Sequence, residues 1–229
     1  MTHTFVARHA RPLAAAVAAL LALAPGAMPA QSMHPASHAT SGAGAAGAAG
    51  SASDLRVGLN TLFREHVYLA AAATGAALGG RAAEFESAAA ALDRNSVAIS
   101  KAIGSVYGMG AEQAFLPLWR KHIGFFVDYT QGAAAKDRAK QDKAVADLVA
   151  YTQDFGAFLQ SANPKLPKAT VAELVKSHAL SLKAVVDAQA SMNPGAAYQA
   201  LQDAAAHMQM IADPVAAAIA AQFPERYGR

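Results

Sequence analysis

The stretch LFREH at residues 62–66 returns as LWRKH at 118–122 and again as LVKSH at 174–178. A leucine, a cationic residue and a histidine keep the same offsets in all three copies, and each copy begins 56 residues after the previous one. Apolar residues elsewhere recur at the same spacing: Ala89, Val145 and Leu201; Ile99, Phe155 and Ile211; Ile103, Leu159 and Val215. A period near 50 is typical of supersecondary units that bury their faces on one another.

Each unit is predicted to be helical. From Asp54 onward apolar residues recur at intervals of three and four, and Ala, Leu, Lys and Gln dominate. Glycine and proline clusters predict breaks at 79–80, 108–110, 132, 163–167 and 193–195. The helices are therefore predicted at 54–78, 81–107, 111–131, 137–161, 168–191 and 195–223. We expect an all-α, up-down bundle of about six helices, built from three helical hairpins of period 56.

The large apolar residues must supply most of the core, because the abundant alanines bury little area each. The residues predicted to fill it are Leu62, Leu69, Leu92, Ile99, Ile103, Leu118, Trp119, Phe125, Phe126, Leu148, Phe155, Leu159, Leu174, Leu182, Ile211 and Phe223.

The first thirty residues have the pattern of an export signal. Arg8 and Arg11 precede an apolar run at 13–24, which Pro25 ends, and small residues follow up to Ala30. We therefore predict a signal peptide at 1–30, a flexible Ala/Gly/Ser linker at 31–53 and a helical bundle domain at 54–229. The protein is expected in the periplasm or outside the cell, with no membrane span in the mature chain.

Composition excludes several classes of function. With 54% hydrophobic and 15% charged residues the chain is not a disordered tail protein, and without cysteine it has no disulfide, thiolate metal site or iron–sulfur cluster. Loss of the leader leaves 17 basic against 16 acidic residues, so no nucleic-acid partner is expected. No phosphate-binding loop or nucleophile elbow is present, which makes an enzyme the least supported class.

Four histidines are the candidate metal ligands: His66, His122, His178 and His207. Each lies in the middle of a predicted helix, and residues three and four positions away, which share its face, are mostly apolar. These imidazoles are therefore expected to point into the core. Several imidazoles that converge in an apolar bundle suit a transition metal or haem iron rather than Mg²⁺ or Ca²⁺.

The residues around the histidines narrow the choice of cofactor. No Glu-x-x-His or His-Glu-x-x-His pattern occurs, which disfavours a di-iron site and a zinc protease. Met210 and Met208 are possible additional ligands, and imidazole with thioether suits copper ahead of zinc, or haem b held axially. The candidates for outer hydrogen-bond partners of the imidazoles are Asp93, Asn95, Asp128 and Tyr129.

Three segments also support a resemblance: LWRKHIGFFVDYT at 118–130, IGSVYG at 103–108 and AAQFP at 220–224. With these the chain resembles, over residues 54–227, a family of exported bacterial all-helical proteins. Some members are joined to a domain named after the N-terminus of copper amine oxidase. The resemblance implies an exported helical domain but no activity, and the prediction of a metal rests on the histidines.

Three hypotheses follow for the function. In the first, the protein binds a transition metal, copper ahead of zinc, through inward histidines and buffers, transports or senses the ion. In the second, one or two histidines, or His207 with Met210, hold haem b. In the third, the histidines are core packing in a non-catalytic interaction scaffold. The sequence names no protein partner for any of them.

Overall fold

The computed structural model describes residues 51–227 and folds them into six long helices and one short helix. The helices are α1 (Ala52–Leu78), α2 (Ala82–Tyr107), α3 (Met109–Ala135), α4 (Arg138–Ala162), α5 (Lys168–Ala190), α6 (Pro194–Gln222) and α7 (Pro224–Tyr227). The predicted signal peptide and most of the predicted linker lie outside the described residues. Helix α1 includes residues 52 and 53, which the sequence analysis assigned to the linker.

Short polar side chains fix the starts of three helices. Ser51 caps α1 and forms a reciprocal capping box with Asp54, while Asp137 accepts a hydrogen bond from the backbone of Lys140 at the start of α4. Asn193 caps α6 in the same way, with Pro194 in the first helical turn. These caps satisfy backbone N–H groups that have no partner within the helix.

The six long helices form an up-down bundle, as the sequence predicts. Helices that follow each other in the chain pack together, and α1 also packs on α6, which closes the bundle. Helices α1, α3 and α5 contact one another as well, so every second helix reaches a common interior. No helix of residues 51–227 combines the length and apolarity that crossing a membrane requires.

The predicted break at Gly132 differs from the structure, where α3 continues to Ala135 and ends at Lys136 with a φ of 55°. A Cβ atom at Gly132 would lie 2.9 Å from Cγ of Gln141. This glycine therefore serves the close approach of α4 to α3, and the turn comes four residues later.

The core follows the prediction in most positions. Ten of the sixteen predicted core residues are buried, and the others are half-buried against the same cluster: Leu62, Leu69, Leu118, Phe125, Leu174 and Phe223. Phe115 and Val185, which the prediction omitted, are 1% and 0% exposed. The largest cluster of buried residues draws on all six long helices, and two smaller clusters are separate from it.

Candidate metal centre

Three of the four predicted histidines meet in the interior of the bundle. His66 lies on α1, His122 on α3 and His178 on α5, and their exposed fractions are 1%, 4% and 4%. Each one belongs to one of the three helices that share the common interior, so a residue at the same height on each helix meets its counterparts there. We call these three residues the histidine triad.

The triad brings three ring nitrogens close together. One nitrogen from each ring lies within 4.8 Å of the other two. The Nε2 atoms of His66 and His122 are 3.4 Å apart, and the ring centroid of His66 is 5.3 Å from that of His122 and 6.0 Å from that of His178. Two imidazoles on a tetrahedral metal with bonds near 2.0–2.1 Å have their nitrogens about 3.3 Å apart. The His66–His122 pair already has this separation.

Four of the six ring nitrogens have no hydrogen-bond partner: Nδ1 of His66, Nδ1 of His122 and both nitrogens of His178. The Nε2 atoms of His66 and His122 can share one N–H···N hydrogen bond if the two rings adopt opposite tautomers. A buried polar group without a partner costs about 1–3 kcal/mol. Such a cluster is unusual in a native interior and calls for a function or a ligand.

The triad is neutral at physiological pH. Burial, and secondarily the neighbouring imidazoles, hold the pKa of His66 well below its usual range. Burial and the nearby His178 lower the pKa of His122 to about 3. The backbone of Trp119 acts in the opposite direction, although its geometry does not make a hydrogen bond to the ring. Burial, with His207 nearby, lowers the pKa of His178 to about 4. Neutral imidazole is the form that binds metal ions.

Aromatic side chains enclose the triad. Trp119 contacts His66 and His122 edge-on, with centroid distances of 5.0 and 4.7 Å, and its own indole N–H has no partner. Tyr151 of α4 stacks on His122 at 5.3 Å. Burial raises the pKa of Tyr151 well above its usual range, so the phenol stays neutral. These rings shield the centre from water and limit how far the imidazoles can turn.

Two small cavities flank His122. One, of about 40 Å³, adjoins His66 and His122 and is walled mainly by alanine, leucine and phenylalanine side chains. The other, of about 30 Å³, adjoins His122, His178, Tyr151 and Met208. Each can accept one or two small ligands of a bound ion, and neither has room for a porphyrin.

The structure does not bring His207 into the triad. His207 is half-buried, and its Nε2–H donates to the carbonyl oxygen of Leu174 at 3.1 Å. Met208 is 1% exposed and lines the smaller cavity, whereas Met210 is 57% exposed at the surface. Of the two predicted thioethers, Met208 is therefore the one that faces the interior.

The four predicted outer partners make their polar contacts elsewhere. Asp93 forms a two-pronged ion pair with Arg120, and Asp128 lies 3.6 Å from Nζ of Lys140. The remaining two also have partners away from the triad: Asn95 donates to Leu62 and Glu65, and the hydroxyl of Tyr129 donates to Asp187. Among residues 51–227, no carboxylate joins the imidazoles in a metal-ligand cluster.

Two neighbours of the triad were not predicted as site residues: Trp119, which was predicted only as core, and Tyr151. Tyr151 lies one period before His207 and one period after Asn95, and the spacing therefore pointed to it. The comparison of this chain with protein-family models, with curated proteins and with solved structures found no match. The chemistry of the site rests on its own geometry: three neutral nitrogen donors, held by three helices, in an apolar interior.

Proposed function

We propose that the protein binds one transition-metal ion through His66, His122 and His178, with copper preferred over zinc, in order to buffer, transport or sense it. The observation that carries this proposal is the convergence of three buried imidazoles whose ring nitrogens lack other partners. Nitrogen donors without oxygen ligands suit copper and zinc and disfavour Mg²⁺ and Ca²⁺.

The alternatives receive less support. Haem b needs space for a flat porphyrin beside its axial histidine, and the two cavities next to the imidazoles measure only about 40 and 30 Å³. A scaffold with packing histidines would need a hydrogen-bond partner for each buried ring nitrogen, and four of the six lack one. The metal hypothesis accounts for the convergence of one nitrogen from each ring, and it gives a partner to one nitrogen of His178, which otherwise has none.

The test is metal uptake by chelator-treated protein, compared between variants. We expect about one equivalent of copper or zinc to bind at micromolar concentration, and His122→Leu to abolish this binding. His207→Gln is the matched control and should retain it, because His207 lies outside the triad. His34 and His38 precede the described residues, so the loss caused by His122→Leu, rather than total uptake, decides the result. Equal uptake by wild type and His122→Leu would refute the proposal.

We further propose that the bundle consists of three hairpin units of period 56, namely α1–α2, α3–α4 and α5–α6. Each unit supplies one histidine of the triad. A recurrent hydrogen bond supports the same register. Nδ2 of Asn95 donates to Leu62 at 3.0 Å, and Nε2 of His207 donates to Leu174 at 3.1 Å, both across 33 residues. The donors, like the acceptors, are two periods apart.

Export to the periplasm or the cell exterior remains a proposal based on the basic, apolar and small-residue pattern at 1–30. The resemblance to exported bacterial helical proteins agrees with it. The expected outcome is a mature protein in the periplasmic or extracellular fraction whose first residue, read by mass spectrometry, is Gln31. An intact Met1 in the cytosolic fraction would contradict it.

A further inference from the structure

The donor set of the triad carries no negative charge. Imidazole binds a metal as a neutral ligand, and the uncharged aromatic rings of Trp119 and Tyr151 lie against the triad. Among residues 51–227 no carboxylate joins the cluster. A divalent ion would therefore place two uncompensated charges in an apolar interior, whereas a monovalent ion would place one. Removal of a charge from water is costly when no counter-charge compensates it.

The number of donors also favours a monovalent ion. Cu²⁺ prefers four or more ligands in a tetragonal arrangement, and Zn²⁺ with three histidines takes water as a fourth ligand. That water needs hydrogen-bond partners, yet the walls of both adjoining cavities are almost wholly apolar. Cu⁺ has a filled d shell and accepts three nitrogen donors without a water. The triad offers that set, one donor from each of three helices.

A soft donor lines one of the adjoining cavities. Met208 is 1% exposed and lines the cavity that adjoins His122 and His178. A thioether binds Cu⁺ in preference to Zn²⁺ because both the sulfur and the monovalent ion are polarizable. Met210, two residues later and 57% exposed, offers the same group on the outside of the bundle.

We infer that the centre is selective for monovalent copper, which the imidazoles of His66, His122 and His178 hold, with the thioether of Met208 as a further donor from the adjoining cavity. This inference rests on the proposed function, since it names the oxidation state of the metal that the triad takes. The protein then distinguishes Cu⁺ from Cu²⁺ and Zn²⁺ by charge and coordination number rather than by ligand type alone.

The test compares three ions on the full chain without oxygen. Cu⁺ is supplied as its acetonitrile complex with bicinchoninate as the competing chromophoric chelator, and Cu²⁺ and Zn²⁺ are each titrated against a chelator of known affinity. We expect Cu⁺ to bind about a hundredfold tighter than either divalent ion, given the cost of the second buried charge. For copper, that ratio corresponds to a reduction potential raised by about 120 mV over the free couple.

Each outcome separates the inference from the proposed function. Tighter binding of Zn²⁺ or Cu²⁺, abolished by His122→Leu, would overturn the selectivity for Cu⁺ and leave the metal site intact. The absence of binding for all three ions would refute the proposed function itself. A further variant tests the role of the sulfur. Met208→Leu, which conserves volume, should weaken the affinity for Cu⁺ about tenfold and leave the affinity for Zn²⁺ unchanged. Met210→Leu should change neither affinity. An unchanged Cu⁺ affinity in Met208→Leu would remove Met208 from the assignment.

Discussion

At the scale of single residues, the histidine triad opposes the stability of the metal-free fold. Both nitrogens of His178 are buried without a partner. Replacement by leucine removes these polar atoms and keeps an apolar side chain of similar size. We expect His178→Leu to raise the free energy of unfolding of the chelator-treated protein by about 1–3 kcal/mol. Urea unfolding followed by circular dichroism measures the change.

The matched control is His207→Leu. His207 has a backbone partner in the Leu174 carbonyl, so its replacement loses that hydrogen bond and should not stabilise the protein. With saturating metal we expect wild type to be more stable than His178→Leu, because wild type gains binding energy that the variant has lost. Destabilisation of the metal-free protein by His178→Leu would show that the ring nitrogens are satisfied in solution, and that the triad is ordinary packing.

The lowered histidine pKa values predict a specific acid sensitivity. In the unfolded chain a histidine titrates near its usual pKa of 6.5, but in the fold the pKa is about 3 for His122 and about 4 for His178. The unfolded state therefore binds more protons below pH 6.5, and stability is complete above that pH and declines as the pH falls. Between pH 7 and 5.5 the loss should be roughly 1 kcal/mol for each triad histidine.

Urea unfolding of chelator-treated protein at pH 7 and 5.5 measures this loss. His178→Leu should remove about one third of it, while carboxylates contribute little because they titrate at lower pH. A stability that does not change over this range would mean that the imidazoles titrate equally in the folded and unfolded states, in conflict with their burial.

The sequence predicted the three histidines of the triad, but it did not show that His207 and Met210 lie outside it. Helical periodicity identifies the inward face, which is enough for His66, His122 and His178, because their common spacing places them at one height. It does not give the height of a residue on a partner helix. His207 and Met210 share a helix face, but only the packing of α6 against α5 shows that His207 lies at the level of the Leu174 carbonyl and Met210 in solvent.

At the scale of helices, glycine marks close approach as well as chain breaks. Gly156 lies inside α4, and a Cβ atom there would be 2.5 Å from the backbone oxygen of Lys168 at the start of α5. Gly156→Ala should therefore lower the free energy of unfolding by about 1–2 kcal/mol, since the strain of overpacking exceeds the gain in helix propensity. Thermal or urea unfolding measures the difference.

Gly58→Ala provides the control in the same kind of position. Gly58 lies inside α1 with no atom within 4 Å of a new Cβ, so alanine gains only helix propensity and should stabilise by about 0.5–1 kcal/mol. Equal and stabilising effects of the two substitutions would show that α4 and α5 can separate at Gly156 without cost. The sequence alone could not distinguish these glycines, nor foresee that Gly132 lies within α3, because inter-helix distances decide each case.

At the scale of the whole molecule, the alternation of helices explains the position of the site. The number of helices and the up-down order followed from composition, spacing and short connections. Their lateral arrangement did not, since a row of six antiparallel helices has the same sequence pattern as a closed ring. The packing of α1 on α6 and the mutual contacts of α1, α3 and α5 turn three histidines, each 56 residues apart, into neighbours.

A metal at the triad would join three helices that are distant in sequence. Its release requires α1, α3 and α5 to separate, so binding should stabilise the bundle as a unit and add about 2.7 kcal/mol at a free metal concentration of 100 times Kd. Hydrogen exchange read by mass spectrometry should then slow about a hundredfold for the slowest amides, which exchange through global unfolding. The effect should extend to α2, α4 and α6 and be lost in His122→Leu. Protection confined to the turns that carry the histidines would instead mean that the hairpins open independently, and that the ion does not hold the bundle together.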